Sequence, residues 1–147
     1  MLIRKMTNED IEEVWKIEKL SFSMPWSQNG FKEALSMKDN ILLVAEEEGV
    51  IKGYACTYVS FDEGELTNIA VLPNARNTGV AKLLISTLKL EALKKGVSRI
   101  VLEVRVSNES ARHVYKQFGF DELGIRKNFY EQPVEDAMIM SCTLEDN

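Results

Sequence analysis

Apolar residues recur along this chain in two rhythms, one of about two residues and one of three to four, and the switches between them outline its elements. Leu2 to Met6 reads as a short opening strand. Thr7 with Asp10 three residues on forms a helix-start pair, and Ile11, Val14, Trp15, Ile17 and Leu20 mark the buried side of the helix that follows. Pro25 cannot continue that helix and biases Met24 toward an extended shape; Ser27 then opens a second helix to about Met37. Ile41 to Ala45, Val50 to Phe61 and Glu65 to Leu72 follow, separated by short charged turns, a spacing that predicts an antiparallel meander. Pro73 stops the third strand because proline has no N–H for a ladder. Val80, Leu84, Leu88 and Ala92, with Ala81 and Ile85, form one helical stripe, and Gly96 stands at its C-terminal cap. A crossover of that length places the next strand, Ser98 to Val106, parallel to the one ending at Leu72. Ser107-Asn108-Glu109 opens a helix with Ala111, Val114, Tyr115 and Phe118 on one face and Gly119 at its end, and the strands Phe120 to Gly124 and Ala137 to Thr143 close the chain. The pattern predicts one α/β domain over residues 1–147: a mixed sheet with an antiparallel meander, a central parallel strand pair and helices on both faces.

The link between the third strand and the long helix carries the strongest chemical signal. A strand that passes through a small-residue turn into a helix leaves unpaired N–H groups at the positive end of the helix dipole, a site suited to phosphate. Here the turn holds Arg76, Asn77, Thr78, Gly79, Val80, Ala81 and Lys82. Gly79 lets a ligand approach the backbone closely, and Arg76 and Lys82 add charge for phosphate oxygens. Neither the Gly-x-x-x-x-Gly-Lys-Ser/Thr loop nor the Gly-x-Gly-x-x-Gly fingerprint is present. The spacing Arg76-x-x-Gly79-x-Ala81, directly after Asn68-Ile69-Ala70-Val71, resembles the acetyl-CoA-binding motif of the GNAT acetyltransferases.

Composition narrows the function. Of 147 residues 45% are hydrophobic and 28% charged, as in an ordinary globular chain, and the formal net charge of −5 argues against nucleic-acid binding and suits a cationic amine or basic peptide. Cys56 and Cys142 lie in apolar runs without a Cys-x-x-Cys spacing, as expected of reduced core thiols in a cytoplasmic protein. No apolar run is long enough to span a membrane and Met1 to Met6 has no signal-peptide core. His113, off the apolar stripe of its helix and without a ligand cluster, reads as a surface residue, and no metal site is expected.

Chemistry in such a sheet is expected at the C-terminal ends of the two parallel strands. Glu103 shares one strand face with Val101 and Arg105, opposite Ile100, Leu102, Val104 and Val106. A carboxylate in that place either pairs, with Arg105 or a neighbour, or opens onto a wet cleft, where desolvation would raise its pKa and suit it to accept a proton. Tyr115 shares an apolar stripe, so it is either a core tyrosine or a buried phenol able to protonate a leaving thiolate. Phe22 and Trp26 either line a substrate groove or pack beneath the two N-terminal helices.

Over nearly the whole chain the motifs Leu102-Glu103-Val104-Arg105-Val106-Ser107-Asn108, Ala111-x-x-x-Tyr115-x-x-Phe118-Gly119-Phe120, Arg126-x-x-x-Tyr130 with Glu135-Asp136-Ala137, and Met24-Pro25-Trp26-Ser27 look like the ribosomal-protein-alanine N-acetyltransferases, the RimI-type branch of the GNAT superfamily. The resemblance implies Glu103 as general base and Tyr115 as general acid. It implies that Ile69, Ala70 and Val71 offer backbone hydrogen bonds to the pantetheine arm and acetyl carbonyl, that Asn77 to Lys82 hold the pyrophosphate, and that Asn108 contacts the cofactor near its pantetheine arm. The implied reaction moves acetyl from acetyl-CoA directly to the N-terminal alanine of a small-subunit ribosomal protein, without a metal. Two departures bear on cofactor affinity: Asn77-Thr78 replaces the usual Gly or basic residues, and Ala81 replaces a common Gly. Glu65 is a second candidate base, since other GNAT branches use that earlier strand. The rival readings are a polyamine or amino-sugar acetyltransferase and a non-catalytic acyl-CoA-binding module.

Overall fold

A computed structural model describes residues 1–145. Its sheet is built from β1 (Leu2–Lys5), β2 (Ile41–Glu47), β3 (Val50–Ser60), β4 (Glu63–Val71), β5 (Arg99–Arg105), β6 (Asp121–Tyr130) and β7 (Glu135–Thr143), in the order β1-β2-β3-β4-β5-β7-β6. Every neighbouring pair is antiparallel except β4–β5. The helices are α1 (Ile11–Ser21), α2 (Gln28–Ser36), α3 (Val80–Lys94) and α4 (Glu109–Gln117). This is the mixed α/β sheet, with its meander and single parallel pair, that the apolar pattern predicts.

Two cores flank the sheet. On one face α3 brings Val80, Leu84, Ile85, Leu88 and Ala92 against Leu43, Ala55, Ile100 and Leu102, and Tyr115, Phe120 and Met140 extend the same layer. On the other, α1 and α2 bring Ile11, Val14, Ile17 and Phe31 against Leu42, Val44, Tyr54 and Cys56. Local chemistry sets the element ends. Thr7 and Asp10 form the capping box at the first turn, the Thr7 N–H donating to Asp10 Oδ2 at 2.8 Å. Ser27 Oγ accepts the Gly30 N–H at 3.1 Å. Gly96, at a φ of 81°, closes α3, and the Val97 N–H returns to Ala92 O at 3.0 Å.

Three details depart from the apolar pattern. Leu20 is 65% exposed and Trp15 only half-buried under the Lys19 ammonium, 3.6 Å from its ring. The buried stripe of α1 runs Ile11, Val14, Ile17 and Glu18 instead, so a carboxylate takes a core position. β6 continues to Tyr130, well past Gly124, because this edge strand is solvent-exposed over most of its length and so carries charged residues that mask its extended conformation. Arg105 pairs with Glu135 at 3.2 Å, not with Glu103.

Candidate active site

The parallel pair that organises the sheet comes apart where the chemistry is expected. β4 and β5 are paired only from Glu63–Arg99 to Leu66–Leu102. Beyond that, β4 continues to Val71 and β5 to Arg105 on diverging paths. A bulge at this point, where the register with β3 steps between Cys56–Asn68 and Thr57–Leu66, turns β4 away. Alternate residues of an antiparallel strand bond to one neighbour. Because the Leu72 N–H donates to Lys52 O at 2.8 Å, Asn68, Ala70 and Leu72 face β3, while Ile69 and Val71 turn their peptide groups into the opening. Arg76 Nε donates to Val71 O at 3.1 Å from that side. The opening therefore presents a peptide edge without a strand partner.

At its mouth lies the turn into α3. Asn77 and Gly79 have φ of 63° and 88°. The Thr78 hydroxyl donates to Ala75 O, and the Leu83 N–H makes the first helical bond to Gly79 O at 3.0 Å. Among the described residues the N–H groups of residues 77–82 have no acceptor in the turn, so Asn77, Thr78, Gly79, Val80, Ala81 and Lys82 present consecutive donors at the positive end of a fifteen-residue helix. A Cβ on Gly79 would meet nothing within 4 Å, which leaves the space above it open. These groups fit a pyrophosphate. Lys82 is exposed, whereas the Arg76 guanidinium is turned inward to Val71 O and, at 3.4 Å, Ser21 Oγ. Arg76 thus braces the turn against β4 and α1.

Glu103 stands on the face of β5 that the α1–α2 core leaves uncovered. Its side chain is 21% exposed, and Arg126 Nη1 of β6 donates to it at 3.2 Å. Glu103 thus pairs with a neighbour, Arg126, and not with Arg105, which is taken up by Glu135. Tyr115 is 7% exposed, its ring 5.7 Å from Phe120; burial first, and the Tyr130 phenol second, push its pKa well up. Tyr130, pushed up to about 12 by burial and by the Glu103 charge, lies under the Arg105 guanidinium at 4.5 Å. Both phenols stay protonated at neutral pH. Asn108 caps α4, its Oδ1 accepting the Ala111 N–H at 3.2 Å, which leaves its Nδ2 donors unused by the cap. Glu65 is exposed and opposite Val101, where the strands are still paired. His113 is exposed, and no cluster of His, Cys, Asp or Glu able to hold a metal occurs among the described residues. Cys56 and Cys142 are free and buried.

Glu18 is the residue missed from the sequence. It is 1% exposed and accepts the Trp26 N–H at 2.9 Å, both Asn68 Nδ2 bonds at 3.2 and 3.1 Å, and the Tyr54 hydroxyl. Its signal was helical spacing, since it stands four residues after Val14 and seven after Ile11. Trp26 packs against Phe31 and Tyr58, with centroids 5.1 and 6.1 Å away, and Phe22 is 39% exposed.

The sequence and the fold both match known proteins. The acetyltransferase (GNAT) family model matches residues 11–120. A Bacillus subtilis relative is 38% identical over 98% of this chain and 96% of its own length. The [ribosomal protein bS18]-alanine N-acetyltransferase of Haemophilus influenzae is 38% identical over 92% of this chain and 93% of its own. The crystal structure of the ribosomal-protein-S18-alanine N-acetyltransferase from Escherichia coli superposes with a TM-score of 0.92 at 32% identity, covering 99% of this chain and 95% of that one. No helix of the described residues is long and apolar enough to cross a membrane. By its matched sequence and its superposed fold, this chain belongs to the GNAT family of acetyl-CoA-dependent acetyltransferases.

Proposed function

We propose that this chain is a cytoplasmic N-terminal protein acetyltransferase whose acceptor is the α-amino group of the alanine that begins ribosomal protein bS18. The observation that carries it is the opening between β4 and β5, with the peptide edge of Ile69 and Val71 on one side and Glu103 on the other. The named activity of relatives matched over almost their whole length supports the choice of acceptor. Acetyl-CoA supplies an activated thioester. The N–H groups of residues 77–82 hold its pyrophosphate, Asn108 Nδ2 meets the pantetheine arm, and Ile69 to Val71 align that arm along β4. A peptide α-amino group has a pKa near 8, so roughly a tenth of it is already neutral at pH 7 and a modest base suffices. Glu103, through a water, takes the amine proton. The Val71 N–H stabilises the charge that grows on the acetyl oxygen, and Tyr115 donates a proton to the departing thiolate.

The test is thiol release with acetyl-CoA across peptides that vary in their first residue, with spermidine and an aminoglycoside alongside. Release with the alanine peptide, matched by one acetyl group on its α-nitrogen, is expected. Release with the small amines alone would move the acceptor to that class. Tight CoA binding without release for any amine would make the chain a binding module.

A further inference from the structure

Glu18 is expensive where it stands. A buried carboxylate costs several kcal/mol in lost hydration, and among the described residues it forms no salt bridge. An apolar residue here would complete the Ile11, Val14 and Ile17 stripe at lower cost. Hydrogen bonds alone keep the anion, and their donors come from three separate segments: Trp26 in the α1–α2 connection, Tyr54 in β3 and Asn68 in β4.

Two of those segments are held by other means. β3 and β4 are locked to each other from Gly53–Val71 to Ser60–Glu63. The connection has no such ladder: among the described residues the N–H groups of Ser23, Met24 and Trp26 make no backbone hydrogen bond, and the Trp26 main chain is tied down by Glu18. Stacking on Phe31 of α2 and Tyr58 of β3 fixes the Trp26 ring, while Glu18 ties its peptide to Asn68 of β4 and Tyr54 of β3. Asn68 directly precedes Ile69, the first residue of the free peptide edge, and Ser21, in the last turn of α1, receives Arg76 from the cradle turn. The end of α1 therefore touches the connection, the residue that leads into the free edge, and the cradle turn.

We propose that Glu18 is a positioning residue for the acceptor: its carboxylate sets residues 22–27 at a fixed distance from the edge of β4 along which the thioester is laid. The proposal rests on the acetyl-transfer reading above and adds to it the element that frames the incoming peptide. A consequence follows from Asn68. A carboxylate only accepts, so Asn68 must turn its NH₂ toward Glu18, and its buried Oδ1 has no partner among the described residues. In Glu18→Gln that oxygen becomes useful. The new carboxamide oxygen keeps the Trp26 N–H, while its NH₂ donates to the Tyr54 oxygen and, after an Asn68 amide flip, to the Asn68 oxygen. The flip leaves the Asn68 NH₂ and the Tyr54 hydroxyl hydrogen without their former acceptor, a cost to stability that keeps the geometry of the pin. The pin survives without the charge. Glu18→Asp keeps the charge but is one methylene too short to reach β4 and Trp26 together, and Glu18→Ala removes the pin.

Steady-state kinetics with the alanine peptide and acetyl-CoA, on wild type and these three variants, decide the matter, with CoA affinity by calorimetry and melting temperature as controls. Glu18→Asp and Glu18→Ala are expected to raise the peptide KM about tenfold or more, with the acetyl-CoA KM and the CoA Kd within about twofold of wild type. Glu18→Gln is expected to stay within about threefold of wild type. A peptide KM unchanged in Glu18→Asp, both KM values rising together, or Glu18→Gln as damaging as Glu18→Ala would overturn the proposal; Glu18→Asp decides alone if the alanine variant fails to fold. Wild-type enzyme inactive on the alanine peptide would instead refute the acceptor reading.

Discussion

Replacing Gly79 by alanine isolates the backbone geometry of the cradle from everything else in the site. Gly79 has φ 88° and ψ 7°, in the left-handed region, and a Cβ there would meet nothing within 4 Å. The substitution therefore brings no clash, only the cost of an L residue in this conformation, about 1–2 kcal/mol. In the free protein the turn can relax, since the Thr78 hydroxyl bond to Ala75 O and the Leu83 N–H bond to Gly79 O brace it from either side without fixing the intervening φ. Binding a pyrophosphate reimposes the strained conformation, because only that conformation aims the N–H groups of residues 79–82 together. The strain then appears in the binding equilibrium: about 1–2 kcal/mol converts to a CoA Kd raised about 5- to 30-fold. The kcat at saturating acetyl-CoA should stay near that of wild type, because Glu103 and Tyr115 are on other elements. Calorimetric titration with CoA, beside thiol-release kinetics, measures both. An unchanged Kd, or a kcat reduced tenfold at saturation with the Kd intact, would refute the assignment of this turn to the pyrophosphate.

Other substitutions probe the remaining parts of the account. Glu103→Gln and Tyr115→Phe should each lower kcat by about 10²-fold or more while leaving CoA affinity unchanged, a loss typical of general acid–base groups; unchanged turnover in either removes that role. Gly53→Ala should destabilise the fold by about 1–3 kcal/mol, because a Cβ there would lie 2.9 Å from Ala70 O and 3.1 Å from Val80 Cγ1, forcing β3 away from both β4 and the start of α3; a melting curve checks it. The Arg4 guanidinium, at 2.8 Å, and the Thr7 N–H hold the Asp10 carboxyl below the usual aspartate range. A depressed carboxylate stabilises the fold above its unfolded pKa, and that contribution disappears as the pH falls through the folded value. Asp10→Asn should therefore cost about 1–3 kcal/mol at pH 7, a gap in urea unfolding that closes progressively below about pH 4.

Much of the architecture was legible because burial leaves periodic traces. Val80, Leu84, Leu88 and Ala92 mark the inner stripe of α3, and each is at most 2% exposed. The length of the crossover between β4 and β5 fixed the parallel pair. The far half of β6 left no such trace, since an edge strand with both faces wet needs no apolar alternation. The cradle could be read because its chemistry is local: a turn and a helix start contiguous in sequence. Glu103 and Tyr115 could be placed on their elements, but not their surroundings, because the partners that define them, Arg126 and Tyr130, arrive from a strand whose extent was hidden. Glu18 shared the spacing of the buried stripe, but its role was hidden for a related reason. Its meaning lies in contacts with Asn68 and Tyr54, fifty and thirty-six residues away, and a polar residue on an apolar stripe draws no notice until the fold encloses it.

The central claim is that one ligand spans the amide donors of residues 77–82 and the free edge of β4. Amide nuclear magnetic resonance during titration with acetyl-CoA tests it most directly. The account predicts large shifts, saturating together, at Ile69, Val71 and the amides of residues 77–82, with smaller changes at the outward strand β6. Saturable binding that leaves the Ile69, Val71 and Gly79 to Lys82 amides in place would contradict it.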